Sequence, residues 1–171
     1  MHEHRTHQID RQLSKAQTII LFCTCAAAPA LVGWLGAWLS GMTAHRAARA
    51  PFAPNGVAST LFWVASYALL GIALFLAITA DTRHSGQRAV KMWSVSLWGA
   101  MFALALVCPF IMHSVRAYML SFVWLVIIDA IAVALIVVNF KLRPSSAFLV
   151  MPFAALAMFM TFAAFYVAIY V

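Results

Sequence analysis

Five stretches free of Lys and Arg, with a single acid among them, run through the chain at residues 17–42, 57–80, 92–112, 117–140 and 147–171. The shortest is 21 residues long, and about 20 apolar residues span the hydrocarbon of a bilayer. A chain inside lipid satisfies its own backbone N–H and C=O groups only as a helix or as a closed barrel. The stretches lack the period-2 alternation of barrel strands, so the expected fold class is all-α: an integral membrane bundle of five transmembrane helices in the lipid bilayer. Residues 1–16 then form a polar N-terminal tail and 17–171 a single transmembrane domain. The connections leave no room for a soluble catalytic domain, so function is expected within or beside the bundle.

The net charge of +7 raises nucleic acid as a partner, but the eleven basic residues are spread over the segments that flank the spans and form no single stripe. No nucleic-acid binding is expected. Their distribution reports topology instead. Arg5, Arg11, Lys15, Arg83, Arg88, Lys91, Lys141 and Arg143 fall on one side, and only Arg46, Arg49 and Arg116 on the other. Basic connections stay in the cytoplasm, which predicts a cytoplasmic N-terminus and an outside C-terminus. A cleavable signal peptide is not expected, because the first apolar stretch is too long and follows a tail with two acids, Glu3 and Asp10.

Small residues recur at Gly33, Ala37 and Gly41 in the first span and at Gly99 and Ala103 in the third. Such spacing bares a helix face to another backbone, either in a homodimer seam or within one bundle. Cys23, Cys25 and Cys108 lie in apolar stretches, where cysteine packs as a small side chain. The loop 43–56 carries Arg46, Arg49, Pro51, Phe52 and Pro54; its prolines and Gly56 stiffen it into a cap over the bundle mouth, with a plain solvated linker as the alternative.

Asp129 is the only acid in any span and stands where a charge is most costly. It either serves a ligand, cation or proton, or is hydrogen-bonded to a Ser, Thr or Tyr of a neighbouring helix. Trp38, Trp93 and Trp34 suit an interfacial belt. Trp63, Trp98 and Trp124 lie deeper, and Tyr67 is one turn from Trp63; together they can line an apolar slot for a flat ligand, or simply pack the bundle. The histidines sit in the tail or at span ends, so no pair is placed for bis-histidine haem ligation. A weak imidazole site in the tail is the one metal alternative; no metal centre and no catalytic residue set is expected, since the few acids and histidines assemble no known constellation.

Ala28-Pro29-Ala30 with Gly33, Pro51-Phe52-Ala53-Pro54, Trp63 and Tyr67 with Gly71-Ile72-Ala73, Trp124-Leu125, Met151-Pro152-Phe153 and Thr161-Phe162-Ala163-Ala164 together resemble the translocator protein / tryptophan-rich sensory protein (TspO) family over nearly the whole chain. The sequence departs from the family near Met101 to Leu106, which hold neither Asn nor Trp, in the absent Leu-Asn of the fifth span, and at Phe52, Ala53 and Leu156, where tryptophans are usual. The resemblance implies a five-helix receptor or sensor for a tetrapyrrole (porphyrin or haem) or a sterol, in a pocket capped by the first loop. It implies Gly33, Phe52, Trp63, Tyr67 and Phe153 around that pocket, to which Trp98, Trp124 and Asp129 are added from the residue reading. Arg46 and Arg49 either meet porphyrin propionates at the mouth by charge-assisted hydrogen bonds or are ordinary flanking charges.

The expected protein is thus a homodimeric membrane receptor of a bacterial inner membrane, with no tightly bound cofactor and with porphyrin or haem as ligand. A noncatalytic accessory subunit of a larger membrane complex is the alternative. Enzymatic activity is not expected beyond porphyrin photo-oxidation, which the family resemblance leaves open.

Overall fold

A computed structural model describes residues 15–43, 56–80, 85–114 and 118–170. Five helices account for nearly all of them: α1 (Lys15–Thr43), α2 (Gly56–Ile78), α3 (Ser85–Ser114), α4 (Tyr118–Leu142) and α5 (Pro144–Tyr170). All five are long and apolar enough to cross a membrane. Arg46, Arg49, Pro51, Phe52 and Pro54 lie outside the described residues.

At the end that carries Lys15, Arg88, Lys91 and Lys141, helices α1, α3, α4 and α5 extend past the apolar stretches, whereas α2 stops two residues short of the end of its own. Helix α3 begins at Ser85, so Arg88 and Lys91 sit on its first turns. Lys91 Nζ donates to the Ala80 carbonyl at 3.1 Å, supplying a donor just past the end of α2, where carbonyls lack helical partners. Arg143 alone separates α4 from α5. Its N–H donates to the Asn139 carbonyl at 2.8 Å, and its own carbonyl accepts from Ser146 N–H at 2.9 Å. Pro144 opens α5 at a position where a missing N–H costs nothing.

Cross-helix contacts fix the register of each neighbouring pair. Phe22 meets Phe75 and Gly33 meets Tyr67 across α1 and α2; Tyr67 meets Phe153 and Ser146 bonds Ala73 across α2 and α5. Phe122 packs on Phe165 and Phe140 on Phe148 across α4 and α5. Ser94 bonds Asn139 and Trp124 bonds Leu104 across α3 and α4. In every pair one number rises as the other falls, so these pairs are antiparallel. The helices form a ring in the order α1, α2, α5, α4, α3, with α3 touching α1 and α2 only lightly. The first residues of α1, α3 and α5 and the last of α2 and α4 share one end, here the basic end; the last residues of α1, α3 and α5 and the first of α2 and α4 share the other, the loop end.

Helix α4 buries Ser121, Leu125, Ile128, Ala132, Leu135 and Asn139, a spacing of alternating fours and threes that keeps one seam inward along the helix. Val126, Ile127, Val133 and Val137 face out, onto lipid. The main core joins Tyr67, Leu70, Met101, Leu125, Leu135, Val150 and Phe153 with the alanines between them.

Candidate functional site

The interior between α1, α2, α3 and α5 is occupied by aromatic rings. Trp63 and Tyr67, one helical turn apart on α2, have ring centroids 5.9 Å apart. Tyr67 meets Phe102 of α3 edge-on at 6.1 Å and Phe153 of α5 edge-on at 5.3 Å. Phe102 in turn stacks on Trp98, one turn further toward the basic end, at 4.5 Å and 18° between planes. The rings therefore descend from Trp63 on the loop side, through Tyr67, Phe102 and Phe153, to Trp98. Edge-to-face and offset-stacked pairs of this kind each contribute about 0.5–1.5 kcal/mol beyond burial.

Gly33 supplies the α1 wall. A Cβ there would lie 2.6 Å from Tyr67 Cδ2 and 3.2 Å from the Trp63 carbonyl oxygen, so only glycine lets the ring sit against the α1 backbone. Of the two readings of the Gly33, Ala37, Gly41 pattern, packing within one bundle is the one found at Gly33. The situation at Gly99 differs: nothing lies within 4 Å of a Cβ built there, and Gly99 and Ala103 are both exposed.

Gly33, Trp63, Tyr67 and Phe153 thus come together, and Trp98 joins them through Phe102. Trp124 packs against the same core, but its Nε1–H is committed to the Leu104 carbonyl at 2.9 Å. Asp129 turns to α5, where Thr161 Oγ1 lies 2.6 Å from Asp129 Oδ2 and 3.0 Å from the Ala157 carbonyl of its own preceding turn. This is the neighbouring hydroxyl expected for an acid at membrane depth. Asp129 Oδ1 is buried and has no hydrogen-bond partner among the described residues. On the outer face of the same two helices, Thr161 borders a shallow apolar groove of about 340 Å³ with Phe122, Met158, Phe162 and Phe165.

A buried polar layer near the basic end escaped the sequence reading. Ser94 Oγ donates to Asn139 Oδ1 at 2.6 Å and Ser146 Oγ to the Ala73 carbonyl at 2.8 Å, and all three side chains are fully buried. Phe102, the ring that links Tyr67 to Trp98, was missed as well. Its one signal is its place one turn beyond Trp98, and thirteen phenylalanines hide that. Among the described residues no group of His, Cys, Asp and Glu is arranged to hold a metal ion.

The model of the TspO/MBR family matches residues 25–170, which take in most of α1 and all of α2 to α5. No curated protein matches the sequence significantly.

Proposed function

The chain belongs to the TspO/MBR family, and on that premise we propose that this integral membrane protein takes a flat apolar ligand, a tetrapyrrole such as porphyrin or haem or else a sterol, into the bundle beneath its first loop. Membership supports a membrane sensor or receptor role in general. The finer reading rests on one observation, the descent of rings from Trp63 through Tyr67, Phe102 and Phe153 to Trp98. A flat ligand parts edge-to-face contacts and replaces them with stacked ones over a larger area, while Gly33 leaves room for Tyr67 to shift along α1. Phe52, Pro51 and Pro54 belong to the cap, and Arg46 and Arg49 meet acidic ligand groups at the mouth. With the basic end in the cytoplasm of a bacterial inner membrane, the loop end of the site lies on the outer side. No resident cofactor and no catalytic group is part of this reading.

Titration of the purified protein with protoporphyrin and with haem, followed by tryptophan quenching and the Soret band, is expected to show saturable binding absent from an unrelated helical membrane protein. Replacing Trp63 and Tyr67 together by Leu is expected to weaken it severalfold while the circular dichroism stays helical. Unchanged affinity in the double variant would remove these residues from the site.

The open face at Gly99 and Ala103 favours a partner helix there, and we assign it to a second copy of this chain. Gly99→Cys should crosslink to a two-chain species under mild oxidation, in a background without Cys23, Cys25 and Cys108. Crosslinks to other proteins of stable composition would instead favour the accessory-subunit reading.

A further inference from the structure

Trp98 is 5% exposed, and its Nε1–H has no hydrogen-bond partner among the described residues. Trp124, of the same residue type and on the facing helix, satisfies its own N–H on the Leu104 carbonyl. Buried polar groups in folded proteins are paired in the great majority of cases, and an indole can only donate. One turn further toward the basic end, Ser94 holds Asn139 by one end of its amide; the other end, Nδ2, is buried and also without a partner. Ser94 and Trp98 are one turn apart on one face of α3, so the two unpartnered neutral donors stand at neighbouring levels, Trp98 Nε1 at the end of the ring series and Asn139 Nδ2 beside Ser94 below it.

We infer that the interior site takes a ligand whose leading end carries a neutral hydrogen-bond acceptor, a carbonyl oxygen or its equivalent, received by Trp98 Nε1–H with Asn139 Nδ2 behind it. The inference rests on the interior-pocket reading above and adds to it the chemistry and the direction of the ligand. The rings above Trp98 accept any flat apolar body, whereas the N–H rewards only one that presents an acceptor. A carboxylate does not suit this end: the donors are uncharged, and a charge at membrane depth requires a cation beside it. Lys91, on the turn below Ser94, is bonded to the Ala80 carbonyl. Acidic groups of a ligand therefore stay at the loop end; protoporphyrin and haem, whose oxygens all belong to propionates, leave the Trp98 N–H unpaired, and a flat body with a ketone, ester, amide or hydroxyl oxygen at its other end fills it.

Fluorene and fluorenone share one ring skeleton and differ by a carbonyl in place of a methylene. Equilibrium dialysis of both against the wild type and Trp98→Phe, in one detergent so that partitioning cancels in the ratio, reads the N–H alone, because phenylalanine keeps a ring on Phe102. The wild type is expected to prefer fluorenone by about tenfold, equivalent to about 1.4 kcal/mol, and the preference is expected to vanish in Trp98→Phe, whatever the change of ring does to the affinity for fluorene itself. A second readout survives poor folding of that variant: of the indole N–H resonances in the ¹⁵N-Trp-labelled wild type, the Trp98 signal shifts downfield with fluorenone and not with fluorene. Saturable protoporphyrin binding together with a fluorenone preference that persists in Trp98→Phe, or with no indole shift, overturns this inference alone. Absence of protoporphyrin and haem binding overturns the tetrapyrrole reading, whatever the ratio.

Discussion

A single methyl group added at Gly71 is expected to separate α1 from α2. A Cβ there would overlap the Cys25 carbonyl oxygen and lie 2.9 Å from Pro29 Cγ. Neither neighbour can yield: one is helix backbone and the other a locked ring. The two are chemically linked, since Pro29 has no N–H and leaves the Cys25 carbonyl, four residues back, without its helical donor. The hydrogen that glycine carries in place of a Cβ points at that oxygen, a Cα–H···O contact of the kind that recurs between close helices. Gly71→Ala should lower unfolding free energy by about 1–3 kcal/mol, the usual cost of overpacking, and Gly71→Leu should leave little folded protein. Gly86, which has nothing within 4 Å, is the control: Gly86→Ala should be neutral or slightly stabilising. Denaturation in mixed micelles measures both, and a Gly71→Ala protein as stable as wild type would mean that α1 does not pack on α2 as described.

Loss of the Thr161 hydroxyl is expected to have the second large effect. Thr161→Val keeps the shape of the side chain but takes the partner from Asp129 Oδ2, while Oδ1 already has none. A buried polar group left unsatisfied costs about 1–3 kcal/mol, well above the ~0.6 kcal/mol average for hydrogen bonds between membrane helices. Asp129→Leu combined with Thr161→Val should recover most of the loss, because then neither group seeks a partner. A double-mutant cycle reads the coupling directly; additive effects would show that the acid is satisfied elsewhere and that α4 and α5 are held by shape alone.

The helices were legible because lipid leaves a chain so few alternatives; which way they face was not. In water an apolar stripe marks the inward side of a helix. In α4, by contrast, Leu125 and Ile128 are buried while Val126 and Ile127 beside them are exposed, and hydropathy does not separate the pairs. Between membrane helices the selective groups are small and polar, and the fully buried Ser94, Ser121, Asn139 and Ser146 are such residues. The four-and-three spacing from Ser121 to Asn139 was present in the sequence, but it becomes visible only when serine and asparagine are read as interior residues. Asp129 was legible as an acid that needs a neighbour, although nothing local names Thr161, since the two meet across 32 residues of chain. The aromatic residues of α2 announced themselves by spacing, whereas Phe102 drew its importance from Tyr67 and Phe153 on other helices.

The ring of helices closes least firmly where α3 meets α1 and α2, in contrast to the extensive α1–α2 and α4–α5 packing. That side faces the bilayer, where flat apolar molecules accumulate far above their concentration in water. A solute sliding in between α1 and α3 disturbs fewer helix contacts than one parting α1 from α2, and it arrives by two-dimensional diffusion. For such a route occupancy follows the mole fraction of ligand in the membrane, and an affinity expressed in molar units drifts with the amount of lipid or detergent in the sample.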